Sequence, residues 1–206
     1  MERVLAATEE LLADRLFEEL TLAEILERAQ VSVGAFYARF GNREGLVSPL
    51  HDRYDERLAA ITARSLDPER WRPVPLAQRV RTLVRYGITV YRRNRGLLRA
   101  LVLEWRLHPE RITDGQREQR ELFYNRIATV LVGDGTEITH PDPPSAARFV
   151  FLACGAICRE LLLEGRTSVP LPSDFGGDDR ALAEELTRNI YGHLAGAAPP
   201  APTQGS

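Results

Sequence analysis

Thr21-Leu-Ala-Glu-Ile-Leu-Glu-Arg-Ala-Gln-Val-Ser-Val-Gly-Ala-Phe-Tyr-Ala-Arg-Phe40 is the stretch that decides the fold. It reads as two short helices joined by a tight turn. Thr21 suits an N-cap, and Glu24 three residues on completes a capping box. Leu22, Ile25, Leu26 and Ala29 follow at helical spacing. Ser32 can cap the second helix. That helix opens on the small residues Val33, Gly34 and Ala35. Phe36 and Phe40 lie four apart and can face backward onto Ile25, Ala29 and Leu46. A helix this small and bare on its other side is hard to justify as core. It has the build of a helix-turn-helix that lies in the major groove of DNA.

The residue types on the bare side set what it can read. Tyr37 and Arg39 point toward the expected DNA surface, and a phenol and a guanidinium are good phosphate partners. Arg28, late in the first helix of the pair, and Arg43, just past the second, can clamp the backbone on either side. Val33 and Ala35 can touch thymine methyls but cannot make bidentate hydrogen bonds. Base discrimination should therefore be modest, with Arg39 the best candidate for a guanine contact and Ser32 a second polar reader. Gly34 at an exposed helix start costs about 1 kcal/mol against alanine. An ordinary helical hairpin has no use for it; a backbone that must approach phosphate or base does.

Composition bounds the alternatives. The 206 residues can form one large domain or two small ones, and a hydrophobic share of 44% supports a packed core. The net charge is −2, so any positive footprint for DNA must be local. All 27 basic residues are arginine, which leaves arginine to do any phosphate binding. Residues 1–53 are acidic: Arg3, Arg15, Arg28, Arg39, Arg43 and Arg53 face Glu2, Glu9, Glu10, Asp14, Glu18, Glu19, Glu24, Glu27, Glu44 and Asp52. Only the 28–43 edge is basic. Neither a signal sequence nor an apolar run of about 20 residues is present, so the expectation is a cytoplasmic protein with no membrane partner.

The rest of the chain carries helical periodicity and no defensible strand. A first helix of about four turns is expected from the face Val4, Leu5, Leu11, Leu12, Leu16 and Phe17. A fourth is expected from Arg43 to about Ser65, capped by Asn42, with Leu46, Leu50, Leu58 and Ile61 inward. Asp67 to Pro75 reads as a break, because three prolines cannot sit in a helix interior. Further helices are expected at about 75–93, 94–107, 110–132, 145–165 and 178–196, with Pro109 at a first helical position. The fold class is all-α, with about nine helices: a DNA-binding domain over 1–50, a helical ligand-binding and dimerisation domain over 51–196, and a disordered Ala/Pro/Gly-rich tail over 197–206.

At residues 3–50 the chain resembles the TetR family of bacterial transcriptional regulators. The resemblance rests on Thr21, Ile25, the run Ala29-Gln30-Val31-Ser32-Val33-Gly34-Ala35-Phe36-Tyr37-Ala38-Arg39-Phe40, then Arg43, Glu44 and Leu46. It implies three N-terminal helices for DNA and about six more for an effector and a dimer partner. Carried over by position, the DNA contacts fall on Arg28, Ser32, Val33, Gly34, Ala35, Tyr37, Arg39 and Arg43, with Tyr37 on a phosphate. Two departures stand out. Gln30 occupies the turn where relatives usually have glycine, which implies a strained turn costing about 1 kcal/mol. Relatives often carry a basic N-terminal arm, whereas the sequence starts almost at helix one; with the acidic balance of residues 1–53, weaker non-specific DNA binding is expected.

In the second half, the segment Ser145 to Gly165 is apolar almost all round, and the last helix offers the stripe Leu182, Leu186, Ile190, Tyr191 and Leu194. Both are expected to pair with a second copy as a four-helix bundle, because a twofold operator needs two reading helices about 34 Å apart; a monomeric core is the plainer alternative. Tyr86, Trp105, His108, Phe123 and Phe149 are candidates for the pocket of an unidentified small-molecule effector, with Arg106 or His108 meeting a polar group. No cofactor or metal is expected. An enzyme is the first rival, but His51, His108, His140 and His193 are scattered and no nucleophile elbow or phosphate loop accompanies them. The second is a redox or metal sensor using Cys154 and Cys158, one turn apart and better read as packed core. The third is a helical module without operator binding. The sequence points to a ligand-responsive, homodimeric transcriptional regulator, a repressor of a palindromic operator.

Overall fold

A computed structural model describes residues 1–164 and 178–196. The expected separator at 165–177 and the tail at 197–206 lie outside the described residues. Every regular element is helical: α1 (Glu2–Leu12), α2 (Leu22–Ala29), α3 (Val33–Phe40), α4 (Val47–Ser65), α5 (Pro68–Trp71), α6 (Leu76–Arg93), α7 (Arg95–Leu107), α8 (Asp114–Val132), α9 (Pro143–Cys158) and α10 (Asp179–Ala195). Among the described residues, no helix is long and apolar enough to cross a membrane.

The helix starts follow capping chemistry. Thr21 Oγ1 accepts the Glu24 N–H at 3.3 Å, while Glu24 Oε2 accepts the Thr21 N–H at 2.8 Å. Thr113 and Gln116 repeat the exchange at α8, at 3.2 and 3.1 Å. Asp142 caps α9 and Asp178 caps α10. Pro68 and Pro143 take first helical positions, where the missing N–H costs nothing.

Several expected boundaries shift. α1 ends at Leu12, nearer three turns than four, and Phe17 sits instead on a 3-10 turn (Phe17–Glu19). Glu19 draws the Leu16 N–H out of helical register at 2.8 Å. α4 begins at Val47 rather than Arg43, because Asn42 Oδ1 takes the Gly45 N–H at 2.8 Å and caps a 3-10 turn (Glu44–Leu46). Ile61 is exposed, not inward. His51 and Thr62, eleven residues or about three turns apart, hold the buried stripe of α4, and Ile61 lies one position off it. The expected break at 67–75 contains the short α5, capped by Asp67 and tied back by the Trp71 indole N–H to the Ser65 carbonyl at 2.6 Å. Pro109 opens a 3-10 turn, and α8 starts only at Asp114. α9 starts two residues early, at Pro143, and passes into a π-helical turn at Arg159–Glu164.

Two main cores result. The head core joins Val4, Leu5 and Leu12 of α1 to Ile25, Phe36, Leu46 and Leu50, and takes Leu97, Ala100 and Leu101 from α7. Gly96 makes that docking possible, since any Cβ there would run into the Arg15 and Leu12 carbonyls. The body core packs α6, α8, α9 and α10 together through Leu76, Val84, Leu131, Ala147 and Cys154. Leu182, Leu186, Ile190 and Leu194 of α10 are buried in this core, packed within their own subunit. Cys154 and Cys158 are buried, free thiols.

One buried charge ties the body. Arg79 is 3% exposed. Its Nη1 donates to the Val130 and Leu131 carbonyls at 3.2 and 3.0 Å, and its Nε to the Val74 carbonyl at 2.5 Å. These carbonyls include the last turn of α8, which has no helical donors of its own and favours a cation. Glu137 supplies a half-exposed countercharge at 3.5 Å. Gly133, at φ +57°, must lack a side chain because a Cβ would meet the guanidinium.

Two outcomes follow for stability. Arg79→Leu should destabilise the fold by about 3 kcal/mol in urea denaturation, because buried carbonyls lose their donor. A loss near zero would mean that water replaces the guanidinium. Glu24 is held down to about 2 from an ordinary 4.5 by its ion pair with Arg15 and its bonds from Thr21. A depressed carboxylate contributes stability above its unfolded value and loses it as pH falls through its folded value. Glu24→Gln should therefore lose less melting temperature than the parent between about pH 5 and pH 2.5. Parallel acid limbs would show that Glu24 is not anchored as described.

Candidate nucleic-acid interface

The turn between α2 and α3 is closed by backbone bonds. The Val31 N–H donates to the Leu26 carbonyl and the Gln30 N–H to the Glu27 carbonyl, both at 3.2 Å, a Schellman closure. It puts Gln30 at φ 52° and ψ 51°, the left-handed conformation the sequence implied. Arg3 of α1 braces the turn, its Nη2 donating to the Gln30 carbonyl at 2.9 Å.

Ser32 Oγ accepts the Ala35 N–H at 3.3 Å and starts α3. Phe36 is completely buried, with the Phe40 ring 5.1 Å away. Ile25, Ala29 and Leu46 share its core. The opposite side of α3 is bare: Val33, Gly34, Ala35, Tyr37 and Arg39 are all exposed, as is the capping Ser32, with Val33 at 58% and Tyr37 at 50%. The surroundings of Gly34 are open: nothing lies within 4 Å of the point a Cβ would occupy, so the fold itself does not require glycine there. Among the described residues, Arg39 touches only the Met1 sulfur, at 3.3 and 3.4 Å. Arg28 is half-exposed beside Glu10, at 3.6 Å.

Arg43 is more committed. Its Nη1 donates to the Leu20 carbonyl at 2.7 Å, its guanidinium lies over Phe17, and it pairs with Glu44 at 3.1 Å. Arg15 pairs with Glu24 at 2.7 Å, and Arg53 with Glu2 and Glu9. The positive side chains turned outward with α3 are thus Arg28 and Arg39.

The residues singled out in the body do not converge on one pocket. Trp105 and His108 share a cavity of about 20 Å³ with His51, Leu101 and Gln116, room for roughly one water. Phe123 packs against Tyr124 and Phe151. Tyr86 is exposed on α6 and Arg106 on α7, and Phe149 is exposed on α9 beside His193. Sequence reasoning did not single out Arg120, whose guanidinium lies 3.8 Å above the centre of the Trp105 ring. Nor did it single out Tyr124, whose hydroxyl, like that of Tyr91, lies within 4.0 Å of where a Cβ at Gly155 would sit. Burial lifts the Tyr91 phenol to about 12. The spacing of Arg117, Arg120, Glu121 and Tyr124 on one face of α8 was the available signal.

Residues 4–49 match the family model of the bacterial regulatory proteins of the tetR family. A search of curated proteins gave no match. The whole chain is similar in fold to solved structures. A putative TetR-family transcriptional regulator from Mesorhizobium loti superposes with a TM-score of 0.65 at 16% identity, over 96% of each chain. A tetR-family bacterial regulatory protein from Rhodococcus RHA1 gives 0.63 at 18% identity, over 94% of this chain and 96% of that one. Regulatory protein TetR from Rhodobacter sphaeroides gives 0.61 at 21% identity, over 94% and 97%. The head, residues 4–49, thus matches the model of the bacterial regulatory proteins of the tetR family, and the full length shares the fold of these solved regulators.

Proposed function

We propose that the chain is a ligand-responsive, cytoplasmic repressor that binds a palindromic operator as a homodimer. The observation that carries this reading is Gly34. It sits in open space on an exposed helix face, where alanine fits and is the better helix former. The protein's own packing gives no reason for it. A backbone brought against a DNA phosphate or base edge does. In this reading Ser32, Val33, Gly34 and Ala35 face the major groove, Arg39 reaches a guanine or phosphate, and Tyr37, Arg28 and Arg43 hold the backbone. Arg43 reaches it through whatever donors its Leu20 and Glu44 contacts leave spare.

The homodimer is supported by α9. Phe149, Leu152 and Ile157 are 62%, 50% and 39% exposed, and with Ala153 and Ala156 they form one outward stripe. An apolar stripe of this kind on a solvated helix favours a covering partner. A second copy is that partner, because twofold DNA needs two heads. The α10 residues expected to share the seam are spent inside the subunit, so α10 meets the partner through its polar face around His193. Effector binding shifts the spacing of the heads by favouring one of two arrangements. Of the effector contacts expected from the sequence, Trp105 and His108 share one small cavity, while Phe123, Tyr86 and Phe149 stand apart from it.

Selection of bound duplexes from a random DNA pool tests the core reading: an enriched palindrome is the expected result, and no enrichment defeats it. On the selected duplex, Gly34→Ala should bind at least about tenfold more weakly while melting higher, by up to about 1 kcal/mol of head stability. Equal or tighter binding would remove Gly34 as the supporting observation. In light scattering the parent should be a dimer and Leu152→Glu a monomer. A monomeric parent at micromolar concentration would end the dimer.

A further inference from the structure

A guanidinium that leaves bulk water needs a countercharge, and neighbouring guanidinium groups make the need sharper. Arg117, Arg120 and Arg148 line an open cleft of about 430 Å³ between α8 and α9, together with Ile112, Glu121 and Tyr124. Arg120 is half-buried over Trp105. Burial lowers its pKa; nearby Tyr124 and the Asp55 carboxylate oppose this, and the charges of Arg159 and Arg117 add to it. Among the described residues, no carboxylate pairs with Arg120 or Arg159. The Asp55 carboxylate acts on Arg120 through space only and lies 3.1 Å from His51 Nε2. Arg148 meets Glu121 only at 4.0 Å, with both side chains exposed, and Arg117 makes one long bond, at 3.4 Å, to the Pro109 carbonyl. Deeper in, Arg159 Nη1 and the hydroxyls of Tyr91 and Tyr124 all come within 4.0 Å of where a side chain at Gly155 would begin. Two other partly buried arginines are each matched by two acids: Arg53 by Glu2 and Glu9, Arg99 by Glu18 and Glu164. Here three arginines face one exposed glutamate.

We propose that this cleft is the effector site and that the effector is an organic anion. Its carboxylate or phosphate oxygens dock on Arg120, Arg117 and Arg148 steer it at the mouth, and its apolar body lies along Ile112 and the Tyr124 ring. The proposal rests on the reading of the helical body as ligand-responsive and names the chemistry that body responds to. The site also has a route to the head. Trp105, beneath Arg120, donates its indole N–H to His51 Nδ1 at 3.4 Å. His51 belongs to α4, whose Val47 and Leu50 are part of the head core. A ligand that pulls the guanidinium off the indole acts one contact away from the helix that enters the head.

The chain has two tryptophans, so Trp71→Phe leaves Trp105 as the only indole fluorophore. Titration of this protein, at constant ionic strength, with benzoate, with phenyl phosphate and with neutral benzamide reads the site directly. The expected result is a saturable change in Trp105 emission with at least one anion, and an affinity for benzamide at least tenfold weaker. The tighter of the two anions identifies carboxylate or phosphate. Arg120→Met, which keeps an apolar stem over the indole, should weaken the anion at least tenfold with circular dichroism unchanged. Arg148→Gln, at the exposed rim, should weaken it about threefold and serves if Arg120→Met does not fold. No saturable response to either anion, equal affinity for benzamide, or indifference of the anion to whichever variant folds would overturn the proposal. Because no DNA enters the titration, its failure beside a successful duplex selection sinks the anion site alone.

Discussion

The burial of Phe36 holds the head in its working shape. An eight-residue helix cannot sustain itself in water, where nucleation is costly and a few bonds do not repay it. α3 persists because one aromatic ring is fully buried among Ile25, Ala29 and Leu46 and packed at a tilt beside Phe40. Burying such a ring contributes about 2–3 kcal/mol, and the aromatic pair about 1 kcal/mol more. With the helix anchored from behind at one residue, its other side is released from packing duty. That release allows serine, valine, glycine, alanine and tyrosine to stand together in solvent. The capping bonds from Thr21 and Ser32 then fix where each helix of the pair begins, and Gln30 accepts left-handed strain so that the two meet at the required angle.

The head is not an appendage on a hinge. α7 gives Leu97, Ala100 and Leu101 to the head core and Leu98 and Val102 to a small cluster with Leu163 on its other side. Gly96 lets it lie directly against the carbonyls that end α1. Arg99 holds Glu18 of the head and Glu164 of the body at once. A body rearrangement therefore turns the head as a unit, carried by α4 and α7, rather than loosening it. This suits a protein whose proposed output is the distance between two heads, since a loose joint would dissipate any change made far from the DNA.

The elements that were legible in the sequence are those with local causes. Capping pairs, prolines and the spacing of Ile25, Ala29, Phe36 and Phe40 are decided by neighbours in the chain, and the structure repeats them. What escaped depended on distant partners. α1 stops early because Glu19 and α7 claim its end, and neither is visible from its own periodicity. The stripe of α10 has the pattern of a seam, but a stripe says only that something covers it; here α6 and α9 do. Aromatic content suggested a pocket in the body, yet could not say that Trp105 lies under Arg120 while Phe149 faces outward. The exposed face of α3 was the most readable of all, because small side chains left bare on an anchored helix are themselves a departure from the usual rule of burial.

Charge explains the division of labour among side chains that composition made uniform. With arginine as the sole strong base, the same side chain must serve as glue and as reader. The difference lies in company. Arg15, Arg53, Arg79 and Arg99 are paired through their guanidinium groups with acids or carbonyls, although Nε of Arg53 and of Arg99 stays without a partner, and they hold elements together. Arg39 and the Arg117–Arg120–Arg148 group lack such company and point donors at open space. In the proposed reading, an acidic head that keeps only a few arginines unspent binds DNA weakly in general and relies on fit along α3. By the same argument, the half-buried Arg120 bears a desolvation cost that the exposed Glu121 offsets little, and under the proposed anion site a bound carboxylate or phosphate would offset it further.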